Sequence, residues 1–270
     1  MKLGIGSYTY AWAVGVPGHY PEQRLGVFGI LDKAVELGVK VVQIADNLPL
    51  DRLSSPEIDS IAKFASALNI AMEVGTRGIQ NDNLLTYLRL AQRLNSPIVR
   101  VVIDTADHHP EEDEIINTIK SAILNFERTK ISLAIENHDR FSASTLERII
   151  HRIDSEYVGV CLDTANSFGA LEGPEVVIEK LGPLTINLHV KDFTIYRASH
   201  NFGFTIEGTP AGQGKLNIPL LLQKLNEYGR DPNAILELWT PPEDDISATI
   251  RKEERWAKDS VEYLRKFTLS

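Results

Sequence analysis

The strongest constraint on this chain is a rhythm. Short runs rich in Val, Ile and Leu alternate with longer amphipathic segments, roughly every 27 residues and eight times over. Runs over 3–8, 40–45, 70–75, 98–103, 132–136, 157–163, 184–190 and 233–238 read as strands. A strand that returns through a helix lies parallel to its predecessor, and eight such units close into a (β/α)8 barrel. A doubly wound sheet would want a glycine-rich turn after its first strand; Gly4, Gly6 and Gly15 do not form G-x-G-x-x-G, and there is no P-loop. The expected fold class is therefore α/β, a single (β/α)8 TIM barrel over residues 1–270.

Boundary signals agree with that register. Gly38 follows Val35-Glu-Leu37 as a glycine just past a helix end. Ser55-Pro56-Glu57 opens the next helix with a cap, a first-turn proline and an acidic residue at the positive end. Pro110 with Glu111, Glu112 and Asp113 does the same further on. Ser144-Thr-Leu-Glu147 reads as a capping box, and Asn217-Ile-Pro219 and Gly229 bracket the seventh helix. The stretch from Asp192 to Gly214 shows no such pattern, and a loop that long on the catalytic face of a barrel reads as a functional lid.

Four of the expected strands finish on a metal-binding side chain: Glu136 in Leu133-Ala-Ile-Glu-Asn-His138, Asp163 in Val158-Gly-Val-Cys-Leu-Asp163, His189 in Ile186-Asn-Leu-His189, and Glu237 in Ile235-Leu-Glu237. In a parallel barrel the carboxyl ends of all strands meet on one face, so these four converge. Three carboxylates and one imidazole suit Mn²⁺ first, with Co²⁺, Mg²⁺ and Zn²⁺ as alternatives. The expected centre is one divalent cation held by Glu136, Asp163, His189 and Glu237.

Composition narrows the partners. The net charge of −9 argues against nucleic acid, which needs a clustered basic surface. No apolar run approaches a membrane span, and the chain opens on strand-like Leu3-Gly-Ile-Gly-Ser-Tyr8 without a leader pattern, so a cytoplasmic enzyme is expected. The single cysteine, Cys161, lies inside an apolar strand and reads as core. The expected ligand is a small molecule, and exposed apolar helix faces of such a barrel leave room for a homo-oligomer.

The motifs also resemble a known group. Ile135-Glu-Asn-His138, Gly159-Val-Cys-Leu-Asp-Thr-Ala-Asn166, His189-Val-Lys-Asp192, Gly212-Gln-Gly214 and Ile235-Leu-Glu237 are similar to the fifth- to eighth-strand elements of the sugar phosphate isomerase/epimerase family, with its xylose isomerase-like barrel. The resemblance spans almost the whole chain. It implies one divalent cation on Glu136, Asp163, His189 and Glu237, with Glu136 and Glu237 doubling as catalytic acid and base on opposite faces of the substrate. A metal that polarises a carbonyl stabilises the enediolate formed when the adjacent C–H proton leaves. The implied activity is isomerisation or epimerisation of a small ketose, sugar acid or sugar phosphate.

Two departures keep a second chemistry open. Asn166 stands where many epimerases of that family carry a histidine, and no second carboxylate follows Glu136 within Asn137–Ser142. Decarboxylation of a 3-oxo sugar acid, such as 3-oxo-isoapionate, passes through the same enediolate, needs one proton donor, and occurs among relatives of the fold. Candidate substrate contacts are Asn166, Lys191, Arg77, Arg100, His138 and Trp12, with Trp239 as a second wall. If the cations line the pocket, the substrate carries a carboxylate or phosphate. Arg100 lies within a strand and needs a buried partner if it faces inward. Two further readings are disfavoured: endonuclease IV-like DNA repair by the charge and the seven histidines, and a non-catalytic sugar-binding barrel by the intact ligand set.

Overall fold

A computed structural model describes residues 1–267; the last three residues of the expected domain lie outside it. Eight parallel strands close into a barrel: β1 (Leu3–Gly6), β2 (Val41–Ile44), β3 (Ala71–Arg77), β4 (Ile98–Val102), β5 (Ser132–Glu136), β6 (Val158–Asp163), β7 (Thr185–Val190) and, after an inserted hairpin, β10 (Asn233–Leu236). β10 pairs with both β7 and β1, which completes the ring. The principal helices α2 (Val27–Leu37), α3 (Ser55–Ala67), α4 (Asn81–Leu94), α5 (Glu112–Thr129), α6 (Ala143–Ile153), α7 (Pro174–Leu181), α8 (Ile218–Glu227) and α9 (Ile246–Leu264) follow the strands; a short α1 (Ala11–Val14) follows β1. No described helix is long and apolar enough to cross a membrane.

Strand alternation separates two environments. Val42 and Ile44, Val99 and Val101, Leu133 and Ile135, Val160 and Leu162, and Leu188 and Val190 are buried in the main core. Each side chain so buried stabilises the fold by roughly 1.5–3 kcal/mol. Their neighbours along the strands face the barrel axis, and many are polar: Gln43, Glu73, Arg100, Asn187 and His189, all buried.

Helix ends follow the sequence signals with two corrections. Gly38 has φ 63°, and its N–H closes onto Ala34 and Val35, a left-handed cap that glycine adopts at no steric cost. The capping box of α3 belongs to Ser54 rather than Ser55, because Glu57 reaches back to the Ser54 N–H at 2.7 Å. The cap of α6 is Ser142, whose hydroxyl accepts the Thr145 N–H, and not the expected box at Ser144. Both shifts place the cap where the backbone is still extended.

The larger correction concerns residues 192–214. They carry an antiparallel hairpin, β8 (Asp192–Arg197) with β9 (Phe204–Thr209), in register Ile195↔Ile206. The Asp192 carboxylate ties its base by accepting the N–H groups of Phe193, Gly212, Gly214 and Leu216 at 2.8–3.0 Å. A Cβ on Gly214 would sit 2.2 Å from Asp192 Oδ1, so the G-Q-G turn lies where only glycine fits.

Candidate metal centre

The ligand candidates converge. Glu136 and Asp163 end β5 and β6, His189 is the next-to-last residue of β7, and Glu237 follows β10; all are buried. His189 Nδ1 stands 3.3 Å from Glu237 Oε1, 3.4 Å from Glu136 Oε2 and 3.7 Å from Asp163 Oδ2. Ligand atoms that share one ion at about 2.1 Å lie roughly 3.0–3.5 Å apart, so this spacing is close to that of a coordination shell.

Local structure aims each group inward. Asp163 Oδ1 accepts the N–H groups of Ala165 and Asn166, both at 2.8 Å, which turns its Oδ2 toward the centre. Asn137 laces β5 to the same turn, accepting the Asp163 N–H at 2.7 Å and donating to its carbonyl at 2.8 Å. His189 Nε2 is 2.7 Å from Gln43 Oε1; an imidazole that donates there presents the Nδ1 lone pair to the carboxylates. Among the described residues, six buried side-chain polar atoms lack a hydrogen-bond partner, and four of them are Asp163 Oδ2, His189 Nδ1 and both Glu237 oxygens. Buried polar atoms are rarely left so, and these four face one another around a space a divalent cation would satisfy. The residues fit the ion.

Cations already stand at the rim. Lys191 Nζ lies 2.8 Å from Asp163 Oδ2 and 2.9 Å from Glu237 Oε2, ion pairs without the alignment of hydrogen bonds, and donates to Asn166 Oδ1 at 3.3 Å. Asn166 Nδ2 donates to Glu136 Oε1 at 2.7 Å, and Arg100 Nε donates to Glu136 Oε2. Arg100 also reaches Asp46 Oδ1 at 2.9 Å, while Arg77 holds Asp46 Oδ2 at 3.0 Å and the Tyr8 hydroxyl donates to that oxygen at 3.2 Å. The buried charge on Arg100 thus has two carboxylate partners.

The electrostatics follow from these contacts. Burial pushes Asp46 up, but Arg100 and Arg77 outweigh it and hold the carboxyl at about 2. Burial likewise opposes ionisation of Asp163, yet Lys191 and His189 keep it well below the usual carboxylate range. For His189 burial disfavours the charged ring, while Cys161, Glu237 and Glu136 raise its pKa far above the ordinary value. Cys161 lies beneath the centre, close enough to Glu136 and His189 to be a ligand. Burial pushes its thiol up to about 11, and its Sγ donates to Asn187 Oδ1 at 3.3 Å, the behaviour of a buried thiol rather than a thiolate ligand.

Above the centre opens a cavity of about 240 Å³ lined by Tyr8, Arg77, Arg100, Glu136, His138, Asp139, Asn166, Lys191, Glu237, Leu238 and Trp239. Five of the six expected substrate contacts, Asn166, Lys191, Arg77, Arg100 and His138, border this space. Trp12 does not; its indole donates to the Thr240 carbonyl at 2.8 Å beside the site. Sequence reasoning did not single out Tyr8 or the partnership of Asp46 with two arginines. Tyr8 sits in a tight turn just beyond β1, a position that residue type alone does not mark.

Residues 31–267 match the family model described as xylose isomerase-like TIM barrel. A 3-oxo-isoapionate decarboxylase from Pectobacterium atrosepticum is 33% identical over 264 residues, covering 98% of this chain and 95% of that protein. A D-psicose 3-epimerase solved in the presence of D-fructose superposes with a TM-score of 0.73 at 16% identity, covering 98% and 99% of the two chains. A xylose isomerase-like barrel from Mycobacterium smegmatis in complex with magnesium does so with 0.71 at 16% identity, covering 97% of each. With its closed eight-stranded barrel and a matching family model across most of its length, the chain belongs to the xylose isomerase-like TIM barrel family.

Proposed function

We propose that this protein is a divalent-metal-dependent carbon–carbon lyase that decarboxylates a 3-oxo sugar acid. The observation that carries the reading is an asymmetry between the two glutamates. Both oxygens of Glu136 are tied by hydrogen bonds, one from Asn166 and one from Arg100, whereas Glu237 accepts no hydrogen bond and is held only by the ion pair of its Oε2 with Lys191 at 2.9 Å. Two-face epimerisation needs two carboxylates free to exchange protons with carbon. Decarboxylation needs one.

Charge supports an anionic substrate. Two sets of ion pairs surround the centre, Arg77–Asp46–Arg100–Glu136 and Asp163–Lys191–Glu237, which with His189 neutral as a ligand set four carboxylates against three cations. A divalent ion turns the deficit of one into an excess of one, which a single substrate carboxylate cancels. The similar decarboxylase is named for such a substrate, a sugar-derived acid with a ketone at carbon 3.

When bound among Glu136, Asp163, His189 and Glu237, the metal would supply Lewis acidity to a ketone oxygen; Mn²⁺ is the first choice for this oxygen-rich set. The chain's own residues do the rest. Arg77, partly exposed at the mouth, and Lys191 offer positive charge to the substrate carboxylate and to the oxygen where charge develops. As the bond between C1 and C2 breaks, carbon dioxide departs and the electron pair passes through C2 toward the C3 oxygen. Glu237 then delivers to C2 a proton that it takes up from solvent in each cycle, while Arg100 and Asn166 hold Glu136 in place. Trp239, whose ring lies 5.5 Å from Lys191 Nζ, walls the mouth against water.

The test is incubation of the Mn²⁺-loaded protein with 3-oxo-isoapionate and related 3-oxo sugar acids, following carbon dioxide release. Glu237→Gln is expected to abolish release. Deuterium exchange into a free ketose in D₂O without carbon dioxide would instead establish the isomerase chemistry that the family resemblance implies.

A further inference from the structure

Below the metal centre lies a polar assembly that decarboxylation does not use. Glu73, on β3, is buried at the barrel axis, and all three partners of its carboxylate are amides: Gln43 Nε2 at 3.0 Å, Asn187 Nδ2 at 2.9 Å and Asn233 Nδ2 at 2.6 Å. No ion pair joins it to a cation among the described residues. A buried carboxylate without such a partner is costly unless hydrogen bonds satisfy it, as these three amides do.

Its orienting effect is specific. A carboxylate only accepts, so each amide around it must turn its NH₂ inward. Gln43 Nε2 also donates to Asn187 Oδ1 at 3.0 Å, which leaves Gln43 no orientation except with its carbonyl oxygen toward the axis above. That oxygen meets His189 Nε2 at 2.7 Å. An acceptor at Nε2 keeps an N–H there, so the neutral ring that ligates a metal has its lone pair at Nδ1, facing Glu136, Asp163 and Glu237. The chain Glu73–Gln43–His189 is thus the carboxylate–histidine pairing of many metal sites with one amide inserted.

We infer that Glu73 is a positioning residue for the metal centre: acting through Gln43, it fixes the tautomer in which His189 offers Nδ1 to the ion. The inference rests on the metal-site reading above. Replacement by glutamine supplies an NH₂ that can face Gln43, allowing the Gln43 amide to reverse and present a donor to His189.

The test is calorimetric titration of the metal-stripped full-length protein with MnCl₂, on wild type, Glu73→Gln, Gln43→Leu, the double variant and Glu73→Asp. Each of the first two substitutions is expected to weaken Mn²⁺ binding 10- to 100-fold. The double variant should be no worse than the weaker single one, because both act on one chain of contacts. Glu73→Asp, which keeps an acceptor-only group, should recover much of the affinity. In Zn²⁺-loaded protein labelled with ¹⁵N-histidine, the His189 Nε2–H should exchange with solvent faster in Glu73→Gln than in wild type. If Glu73→Gln does not fold, Gln43→Leu and Glu73→Asp carry the comparison. Mn²⁺ affinity within twofold of wild type in Glu73→Gln, or effects that add in the double variant, would overturn the inference and leave the metal site standing. Failure of the wild type to bind Mn²⁺ would overturn both.

Discussion

Replacing Arg100 by methionine removes the charge that joins Glu136 to the Asp46–Arg77 pair. Arg100 is 2% exposed, and its guanidinium serves Glu136, fully buried, and Asp46, whose side chain is 17% exposed. Breaking a buried pair by deleting one partner costs about 3–5 kcal/mol, since the remaining charge is stranded. Asp46 gives a separate handle: depression from 3.8 to about 2 corresponds to roughly 2.4 kcal/mol, divided between Arg100 and Arg77 against the opposing effect of burial. In a chain of 270 residues, 3–5 kcal/mol lowers the melting temperature by about 6–10 °C. The assay is thermal unfolding at pH 7 with EDTA, repeated with Mn²⁺. The metal should narrow the gap between variant and wild type, because it offsets the charge left on Glu136. The acid limb should move as well. A depressed carboxylate binds more protons unfolded than folded, so the stability that Asp46 contributes is present above about pH 4 and is lost as pH falls toward 2. Without Arg100 the folded pKa of Asp46 rises toward 3.8, so that loss becomes smaller and is complete at a higher pH. A variant that melts at or above the wild-type temperature in EDTA would refute the reasoning, by showing that desolvation of Arg100 outweighs both pairs.

Other outcomes follow from the same contacts. Lys191→Met removes a cation 2.8 Å from Asp163 and 2.9 Å from Glu237, so Mn²⁺ should bind more tightly by calorimetry while carbon dioxide release falls at least 100-fold. Asp163→Asn leaves its amide facing His189 and should weaken Mn²⁺ binding 10-fold or more in the same titration, without disturbing the barrel's far-ultraviolet circular dichroism. Gly214→Ala forces a Cβ against Asp192 Oδ1 and the Phe193 carbonyl; loss of about 1–3 kcal/mol in urea unfolding and faster proteolysis within 192–214 are expected.

The barrel was legible because its signal repeats. Each strand pairs the same apolar run with the same outward-facing alternation, and errors of one or two residues, as at Ser54 and Ser142, leave the register intact. The convergence of the four candidate ligands was legible for the same reason, each standing at the carboxyl end of a run. What the sequence hid was polar chemistry inside the strands. Gln43, Glu73 and Asn187 look like isolated interruptions of apolar segments, and only closure of the barrel shows that they share an axis and touch one another. Arg100 announced a need for a partner but not which one, since Asp46 lies in the turn after β2, two strands away, and Glu136 ends the neighbouring β5. The β8–β9 hairpin was missed because Phe193-Thr-Ile-Tyr196 and Phe204-Thr-Ile206 are short and lack a two-residue turn signature between them.

The account stands most directly on one measurement: carbon dioxide released from a 3-oxo sugar acid in D₂O, with Mn²⁺ and again after its removal by EDTA. Metal-dependent release, with a single deuterium at the carbon that lost the carboxylate and none of it in Glu237→Gln, is the predicted result. Mn²⁺ bound at the four ligands with no carbon dioxide from any such acid, together with deuterium exchange into a ketose, would contradict it.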